Sequence, residues 1–202
     1  MGKWIQKFAS RAAYEAADHD YPNVSLVDGE GLVYASETPS VFDKVMMYFN
    51  SGADSGSAVL FNGEASDNNI TAMWLNDEPI TVESQYQGIN SGEDYIVKYA
   101  INGTVMSDEF SGDLGLAGAS DLNTIEFLVP AKVTEVNSLP NNHITNLVFL
   151  GDTPPSTEVD MSSLEAGAIY VPDDVVSTYQ NSAWGSQITV YGLSDYQGNL
   201  PV

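Results

Sequence analysis

The sequence predicts a mainly β protein, with an N-terminal arm and short helix, a β-rich middle, and C-terminal stacked strands that end in a terminal capping helix. Two observations predict this class. Short runs of β-branched and aromatic residues alternate with clusters of Gly, Asn, Asp and Ser, and no long helical pattern interrupts them. From about residue 78 the apolar runs also recur at a nearly regular interval, which is typical of stacked units. We divide the chain into residues 1–44, 45–88 and 89–202.

The charge balance limits the classes of partner. Twenty-eight acidic residues face 6 basic ones, for a net charge of −22. A surface this negative repels phosphate backbones, so we expect no nucleic-acid partner. No apolar run approaches the ~20 residues of a membrane span, and no secretory leader is recognisable, so we expect no membrane partner and synthesis in the cytoplasm. The chain has no cysteine, which excludes disulfides and thiolate metal sites.

The first region, 1–44, combines a basic arm with a helix and a hairpin. Three of the six basic residues lie in the first eleven positions, whereas the last 70 residues contain no Lys or Arg. Ser10 is suited to cap a short Ala-rich helix over Arg11–Ala17. Two β-type runs within 23–35 flank Asp28-Gly29-Glu30-Gly31, which predicts a hairpin loop.

The middle region, 45–88, reads as a series of short strands. Gly/Asp/Ser clusters such as S-G-A-D-S-G-S at 51–57 separate its apolar runs. The predicted strands are Val45–Phe49, Ser57–Phe61, Thr71–Leu75 and Ile80–Glu83.

The third region, 89–202, is predicted to be a stack, whose first strand core lies just before it. The spacing from Phe127 to Phe149 and from Phe149 to Val171 is 22 residues each. A period of 20–29 residues with one short strand per unit is typical of leucine-rich-repeat-like stacking, in which neighbouring units bury one continuous core. A β-sandwich is the alternative, but its strands recur every 8–12 residues. The predicted strand cores are Ile80/Val82, Val97/Tyr99/Ile101, Ile125/Phe127/Val129, Leu147/Phe149, Ile169/Val171 and Ile188/Val190.

The stretch after Ile169–Val171 is predicted to close the stack. Pro172 ends the strand, and Asp173 can cap a helix whose first turn favours the negative charge of Asp174. Apolar side chains of this helix and the next turn can then cover the open end of the stack. They are Val175, Val176, Tyr179 and Trp184, followed by a last strand at Ile188–Tyr191.

Four motifs resemble the BspA-type leucine-rich repeats. V-P-A-K-V-T-E-V (129–136) looks like the turn of that family, and D-E-F-S-G (108–112) is similar to the element before it. N-L-V-F-L-G-D-T-P-P (146–155) and I-Y-V-P-D-D-V-V-S-T-Y (169–179) resemble its last repeat and capping helix. The resemblance covers about residues 95–195 and implies a short stack. The chain departs from the family in lacking its Cys- or Asn-rich inner turn.

The N-terminus carries a second resemblance. K-F-A-S-R-A-A-Y-E-A-A (7–17), with Y-P-N-V-S-L-V and L-V-Y-A inside 21–35, resembles the N-terminal module of head-fibre and capsid-decoration proteins in crAss-like phages. The resemblance implies attachment to the capsid through this module. A basic arm bearing aromatic side chains on an acidic body agrees with docking; the alternative is that the arm folds back on its own body. The expected capsid-binding residues are Lys3, Trp4, Ile5, Lys7, Phe8, Arg11 and Tyr14.

Residues suited to catalysis are few. The only histidines are His19, expected to end the short helix, and His143, expected in a loop, and neither has further ligand-type residues at a defined spacing. Acidic pairs occur at Glu93-Asp94, Asp108-Glu109 and Asp173-Asp174, but adjacent strand positions point to opposite faces. The acidic loops lack the spacing of a calcium-binding loop. We expect no enzyme, no cofactor, no metal and no catalytic residue.

These observations together favour a virion structural protein. We expect a head-fibre or capsid-decoration subunit on the capsid exterior, bound to the major capsid protein or other head proteins and assembled as a homo-oligomer. The first alternative is a BspA-like surface adhesin, a module that binds host-surface glycan or protein. The second alternative is a glycan-degrading accessory enzyme.

Overall fold

In a computed structural model, the described residues are 6–8, 24–27, 31–34, 43–63, 69–116, 124–160, 164 and 166–202. The chain divides into two compact units, Met1–Ser40 and Val41–Val202. The mainly β class is confirmed, because strands dominate the described residues, which hold one short α-helix near the C-terminal end of the chain. The helix predicted over Arg11–Ala17 lies outside the described residues.

The N-terminal unit contains a three-stranded sheet formed by β1 (Gln6–Phe8), β2 (Val24–Val27) and β3 (Gly31–Tyr34). The two runs predicted to flank a hairpin loop pair antiparallel, with Val27 opposite Gly31. β1 pairs parallel to β2, with Lys7 opposite Leu26. The segment predicted as an arm therefore includes a strand of this sheet.

The second unit is built on an eight-stranded main sheet. The strands are β4 (Val45–Asn50), β6 (Ile70–Leu75), β7 (Glu78–Ile80), β9 (Asp94–Ile101), β12 (Thr124–Val129), β14 (His143–Phe149), β16 (Ala166–Val171) and β17 (Val190–Gly192), in the spatial order β17-β16-β14-β12-β4-β9-β6-β7. Four of them, β12, β14, β16 and β17, run parallel to one another, and every other neighbouring pair is antiparallel.

Two smaller sheets belong to the same unit. The first is antiparallel, in the order β11-β5-β8, with β5 (Gly56–Val59), β8 (Gln85–Ile89) and β11 (Gly115–Leu116). The second is parallel, in the order β10-β13-β15, with β10 (Val105–Met106), β13 (Glu135–Val136) and β15 (Ser156–Thr157). From β12 to β16 the chain alternates between the main sheet and the second small sheet, so each circuit adds one strand to both.

The register of the parallel strands fixes the repeat length. Phe127 lies opposite Leu147, Leu147 opposite Ile169, and Ile169 opposite Val190, which are steps of 20, 22 and 21 residues. The predicted alignment of Phe127 with Phe149 was wrong, because Phe149 pairs with Val129 and the first circuit is two residues shorter than the second.

The parallel stack begins later than predicted. Val97, Tyr99 and Ile101 lie in β9, which is antiparallel to both of its neighbours. The predicted strand at Ile80–Glu83 was misplaced, because Asn76 and Asp77 adopt positive φ values of 48° and 70° and close a two-residue hairpin that starts β7 at Glu78. Strands from 45–88 and strands from 89–202 lie in one sheet and share one core.

One face of the main sheet packs on the two small sheets and forms the larger core. Phe110 is fully buried there and makes edge contacts with the rings of Tyr99 and Phe127, at centroid distances of 5.3 and 5.9 Å. Aromatic pairs in this arrangement add to the burial of apolar area. The core runs through the whole unit, from Val45 to Val190.

The predicted capping helix is present as α1 (Val176–Gln180), preceded by a 3-10 helix over Asp173–Val175. Tyr179 and Trp184 are fully buried against Phe149, at ring distances of 5.5 and 4.7 Å. The Tyr179 hydroxyl donates to the Gly151 carbonyl at 2.9 Å, and the Trp184 indole donates to the Pro155 carbonyl at 2.8 Å. The helix is therefore bonded to the preceding circuit.

The predicted capping role of Asp173 was wrong. Neither helix has a side-chain cap at its start, and the Asp173 carboxylate accepts a hydrogen bond from the backbone amide of Ser194 at 3.1 Å. Because Pro172 occupies the capping position, Asp173 is displaced into the first turn and faces the segment after β17.

Candidate functional site

The residues predicted to bind the capsid fall mostly outside the described part of the chain. Lys7 and Phe8 lie in β1, opposite Leu26 and Val27 of β2. The others lie outside the described residues, as does His19: Lys3, Trp4, Ile5, Arg11 and Tyr14.

The second unit carries its most distinctive side chains on the face of the main sheet turned away from the larger core, which we call the front face. The last ten residues, 193–202, cross it, and we call them the strap. Tyr196 and Leu200 of the strap form a second apolar cluster with Met46, Leu128 and Val148, which are all completely buried. The strap therefore covers an apolar groove that runs over β4, β12 and β14.

A buried carboxylate anchors the strap. Glu126, in β12, is 4% exposed. It accepts a hydrogen bond from the Tyr196 hydroxyl, and Asn199 donates to it from its side-chain amide at 2.6 Å and from its backbone amide at 3.1 Å. The Tyr196 hydroxyl in turn accepts from the Leu200 amide at 2.9 Å. Because a buried carboxylate is costly unless hydrogen-bonded, these contacts tie Glu126 and the strap to each other.

The packing around this anchor leaves no spare volume. A Cβ atom placed on Gly198 would lie 2.1 Å from Glu126 Oε2 and 2.3 Å from the Tyr196 hydroxyl oxygen. Burial, followed by the hydrogen bond to Glu126, raises the pKa of Tyr196 well above its ordinary value. Tyr196 therefore stays protonated and remains a donor at every physiological pH.

A second polar group lies beside the groove, at the edge of the front face. The exposed carboxylate of Asp94 accepts from the side chains of Asn50 at 2.6 Å and Tyr48 at 2.8 Å, and these two bonds lower its pKa. Burial and the bond to Asp94 raise the pKa of Tyr48 to about 12. Asp94 is thus held ionised, as an acceptor and not as a proton donor.

Three tyrosines line the other end of the front face. Tyr170 stacks on Tyr191 of the edge strand β17 at 5.7 Å and meets Tyr196 edge-on at 5.2 Å. Tyr191 is 43% exposed, and among the described residues only Val202 is another large apolar side chain with such exposure. Tyr191 is the most exposed aromatic side chain among the described residues, whereas Tyr86 and Tyr170 are half-buried.

All three lysines of the second unit are occupied. Lys98 is 6% exposed and lies 2.5 Å from the Asp77 carboxylate. Lys44 pairs with Asp43 at 2.9 Å, and Lys132 donates to the Ile101 carbonyl at 2.9 Å. Since Val41–Val202 holds 22 acidic residues and 3 lysines, it has a net charge of −19, with its few cations already bound to the protein itself.

His143 lies in a strand, and two of the large aromatic side chains, Trp74 and Tyr99, are buried. His143 is the exposed first residue of β14, where a loop was predicted. Trp74 and Tyr99 are 5% and 0% exposed, and the Tyr99 hydroxyl donates to the Leu60 carbonyl. Within the ranges that the structure describes, no three His, Asp or Glu side chains are grouped as a metal site requires.

Sequence reasoning missed the strap and its anchor. The runs V-M-M-Y-F (45–49), T-I-E-F-L-V (124–129) and L-V-F-L (147–150) are apolar on both faces of their strands, which indicates a sheet covered on both sides. That pattern predicts a cover for the front face, although it does not say which segment supplies it.

The longest α-helix of the described residues spans five residues, so none of them forms a helix able to cross a membrane. No family model, curated protein or solved structure matches this chain.

Proposed function

We propose that the chain is a virion structural protein, a head-fibre or capsid-decoration subunit that attaches to a phage capsid through its N-terminal unit. The observation that carries the proposal is the division of the chain into a small N-terminal unit, Met1–Ser40, and a larger unit with its own core. A separate small module suits attachment, because it can bind a partner without disturbing the larger unit.

The distribution of charge supports the same division of roles. Lys3, Lys7 and Arg11 give the first eleven residues three positive charges and no negative one, while the second unit carries −19. Like charge on the larger units keeps densely displayed copies soluble and discourages non-specific contacts, and a basic segment is attracted to an acidic capsid surface.

The outward part is proposed to be a short leucine-rich-repeat-like stack. Its support is the set of four parallel strands at steps of 20, 22 and 21 residues, with a second short strand in each full circuit. The described residues of the stack form no recognisable catalytic group, and the proposed role of the stack is to project from the shell.

The experiment is co-sedimentation of the full chain with capsids assembled from the major capsid protein encoded in the same genome. Replacing Lys3, Lys7 and Arg11 with Gln should reduce the bound fraction at least tenfold, because the charge attraction is lost. Replacing Trp4 and Phe8 with Ala should reduce it similarly, through loss of about 1.5–3 kcal/mol per buried side chain.

A matched control distinguishes the loss of the arm's positive charges from the change in the net charge of the whole protein. The variant Thr81→Glu, Gln87→Glu, Thr178→Glu changes three exposed positions of the second unit and reaches −25, the same net charge as the triple Gln variant. It should bind capsids as the unchanged protein does. Equal binding by all of these variants would remove the N-terminal attachment site from consideration.

A second candidate is a surface adhesin or glycan- or protein-binding module. The exposed Tyr191 ring, stacked on Tyr170 at the sheet edge, favours it, because aromatic faces bind sugar rings and peptide side chains. Screening the chain and its Tyr191→Ala variant against host surface glycans tests it; binding that disappears in the variant would support this candidate.

A further inference from the structure

We propose that the front groove is a docking site for the strap of a second copy of this chain, so that two copies assemble by reciprocal exchange of residues 193–202. Each strap would leave its own front face and bind the same groove on its partner. The inference does not rest on capsid attachment, and its test uses the purified chain alone.

The contacts of the strap do not depend on which chain supplies it. Tyr196 and Asn199 bond to Glu126, which lies 70 and 73 positions away in sequence. Leu200 packs against side chains of β4, β12 and β14. All of these contacts are between the strap and the sheet face, so an identical strap from a partner satisfies them equally.

The groove requires an occupant. Without a strap, the Glu126 carboxylate would lose its Tyr196 and Asn199 donors, and three apolar side chains that are now fully buried would meet water. An unpaired carboxylate on an apolar face is unfavourable. A strap that leaves its own groove is therefore replaced most favourably by another strap, which leaves no groove empty in a reciprocal dimer.

The connection to the strap is short. Residues 193–195 form a single 3-10 turn after β17, and Ser194 and Asp195 are exposed. One hydrogen bond, from the Ser194 amide to Asp173, joins this turn to the preceding circuit. Leu193 belongs to the strap and packs half-buried against the same apolar cluster, so its contacts are exchanged with the rest of the strap and the chain opens at the end of β17.

Exchange of the strap brings little negative charge into the contact between the two copies. Two copies of net charge −22 repel each other, and any new interface has to overcome that repulsion. An exchanged strap brings only one acidic side chain, Asp195, and re-forms contacts that each copy already has. Raised salt, which screens the repulsion, should favour the dimer.

The absence of cysteine allows a direct test with two single-cysteine proteins. One carries Val148→Cys in the groove, and the other carries Leu200→Cys in the strap. They are unfolded, mixed in equal amounts, refolded together at high micromolar concentration in raised salt, and oxidised. A disulfide between them requires the strap of one chain in the groove of the other.

Random pairing of two equal populations places about half of the dimerised chains in mixed dimers, so about half of the dimerised protein should appear as a disulfide-linked dimer on a non-reducing gel. The control replaces Leu200→Cys with Ser177→Cys, an exposed position on α1 that cannot reach the groove. A double Val148→Cys, Leu200→Cys chain, refolded at high dilution, should close its disulfide internally. Linked dimer no more abundant than in the Ser177 control, with internal closure intact, would overturn the proposal.

Met46→Cys replaces Val148→Cys if the latter fails to fold, because Met46 lies in the same cluster. Light scattering on the unchanged protein gives an independent measurement. After refolding at high concentration we expect a dimer fraction that is lost after refolding at high dilution. A strict monomer under both conditions contradicts the exchange.

Discussion

The hydroxyl of Tyr196 is predicted to stabilise the second unit by far more than a surface hydroxyl does. Tyr196→Phe removes the donor to the buried Glu126 carboxylate and the acceptor of the Leu200 amide at 2.9 Å. A hydrogen bond to a charged group contributes about 1.5–3 kcal/mol, and a buried amide left unpaired costs about 1–3 kcal/mol. Asn199 still donates to Glu126, so we expect a net loss of about 2–4 kcal/mol.

The loss can be measured by urea unfolding, followed through the fluorescence of the buried Trp184 and Trp74. A loss of that size lowers the melting temperature of a domain of this length by roughly 5–15 °C. Tyr170→Phe is the matched control, because Tyr170 packs in the same cluster and its hydroxyl makes no hydrogen bond to the described residues. The free energy of unfolding of this control should stay within about 0.5 kcal/mol of that of the unchanged protein.

A double-mutant cycle identifies the partner. Tyr196→Phe combined with Glu126→Gln should cost less than the sum of the two single changes, with an interaction free energy of about 0.5–3 kcal/mol. Equal stability of Tyr196→Phe and Tyr170→Phe, or strictly additive losses in the cycle, would refute the reasoning that Glu126 anchors the strap.

Three further predictions concern packing and titration. Gly198→Ala should destabilise the protein by about 1–3 kcal/mol in urea unfolding, because its Cβ would overlap the anchor. Gly151→Ala is the control and should be nearly neutral, because its Cβ would meet its nearest neighbour at 3.4 Å. Equal effects of the two changes would contradict the tight fit at the anchor. Trp184→Ala should cost about 3–5 kcal/mol, since it empties a fully buried site against the preceding circuit, and a loss below 1 kcal/mol would contradict that packing. Burial raises the pKa values of Tyr99 and Tyr179, so their stabilising effect is complete below pH 10 and is lost as the pH rises towards their folded pKa values. Together these two tyrosines should lower the free energy of unfolding by up to about 3 kcal/mol per pH unit above pH 10, an upper limit where solvent screens the group. The absorbance of ionised tyrosine at 295 nm should rise together with the unfolded fraction, and complete tyrosine ionisation before unfolding would contradict this prediction.

The sequence predicted the class of fold and the parallel stack because those features have local signatures. The β-branched runs around Phe127, Leu147 and Ile169 do lie in neighbouring parallel strands. The exact register was out of reach, because the lengths of the circuits differ by one or two residues and the loops between them carry no marker of register.

Errors arose where a local pattern had two solutions. The β-type run at Val97–Ile101 fits an antiparallel strand as well as a repeat, and its partners β4 and β6 decide between them. Asp173 has the right residue type for a helix cap, but the preceding Pro172 takes that position. The Asn76-Asp77 turn was readable in principle, because Asn and Asp tolerate positive φ, and it would have placed β7 correctly.

The candidate site depended on contacts that no local pattern reveals. Glu126 looks like an ordinary outward-facing residue of a strand, and its partners Tyr196 and Asn199 lie 70 and 73 positions later. Only the apolar residues on both faces of the central strands indicated that something covers the front face.

The position of β4 in the middle of the main sheet has a consequence for synthesis. β4 emerges from the ribosome early, yet its neighbours β9 and β12 begin at residues 94 and 124. Until both are made, the run V-M-M-Y-F has a high tendency to aggregate and no partner strand. Slower translation after residue 50 should therefore increase chaperone dependence and inclusion-body formation, whereas chains released and refolded at high dilution escape that risk.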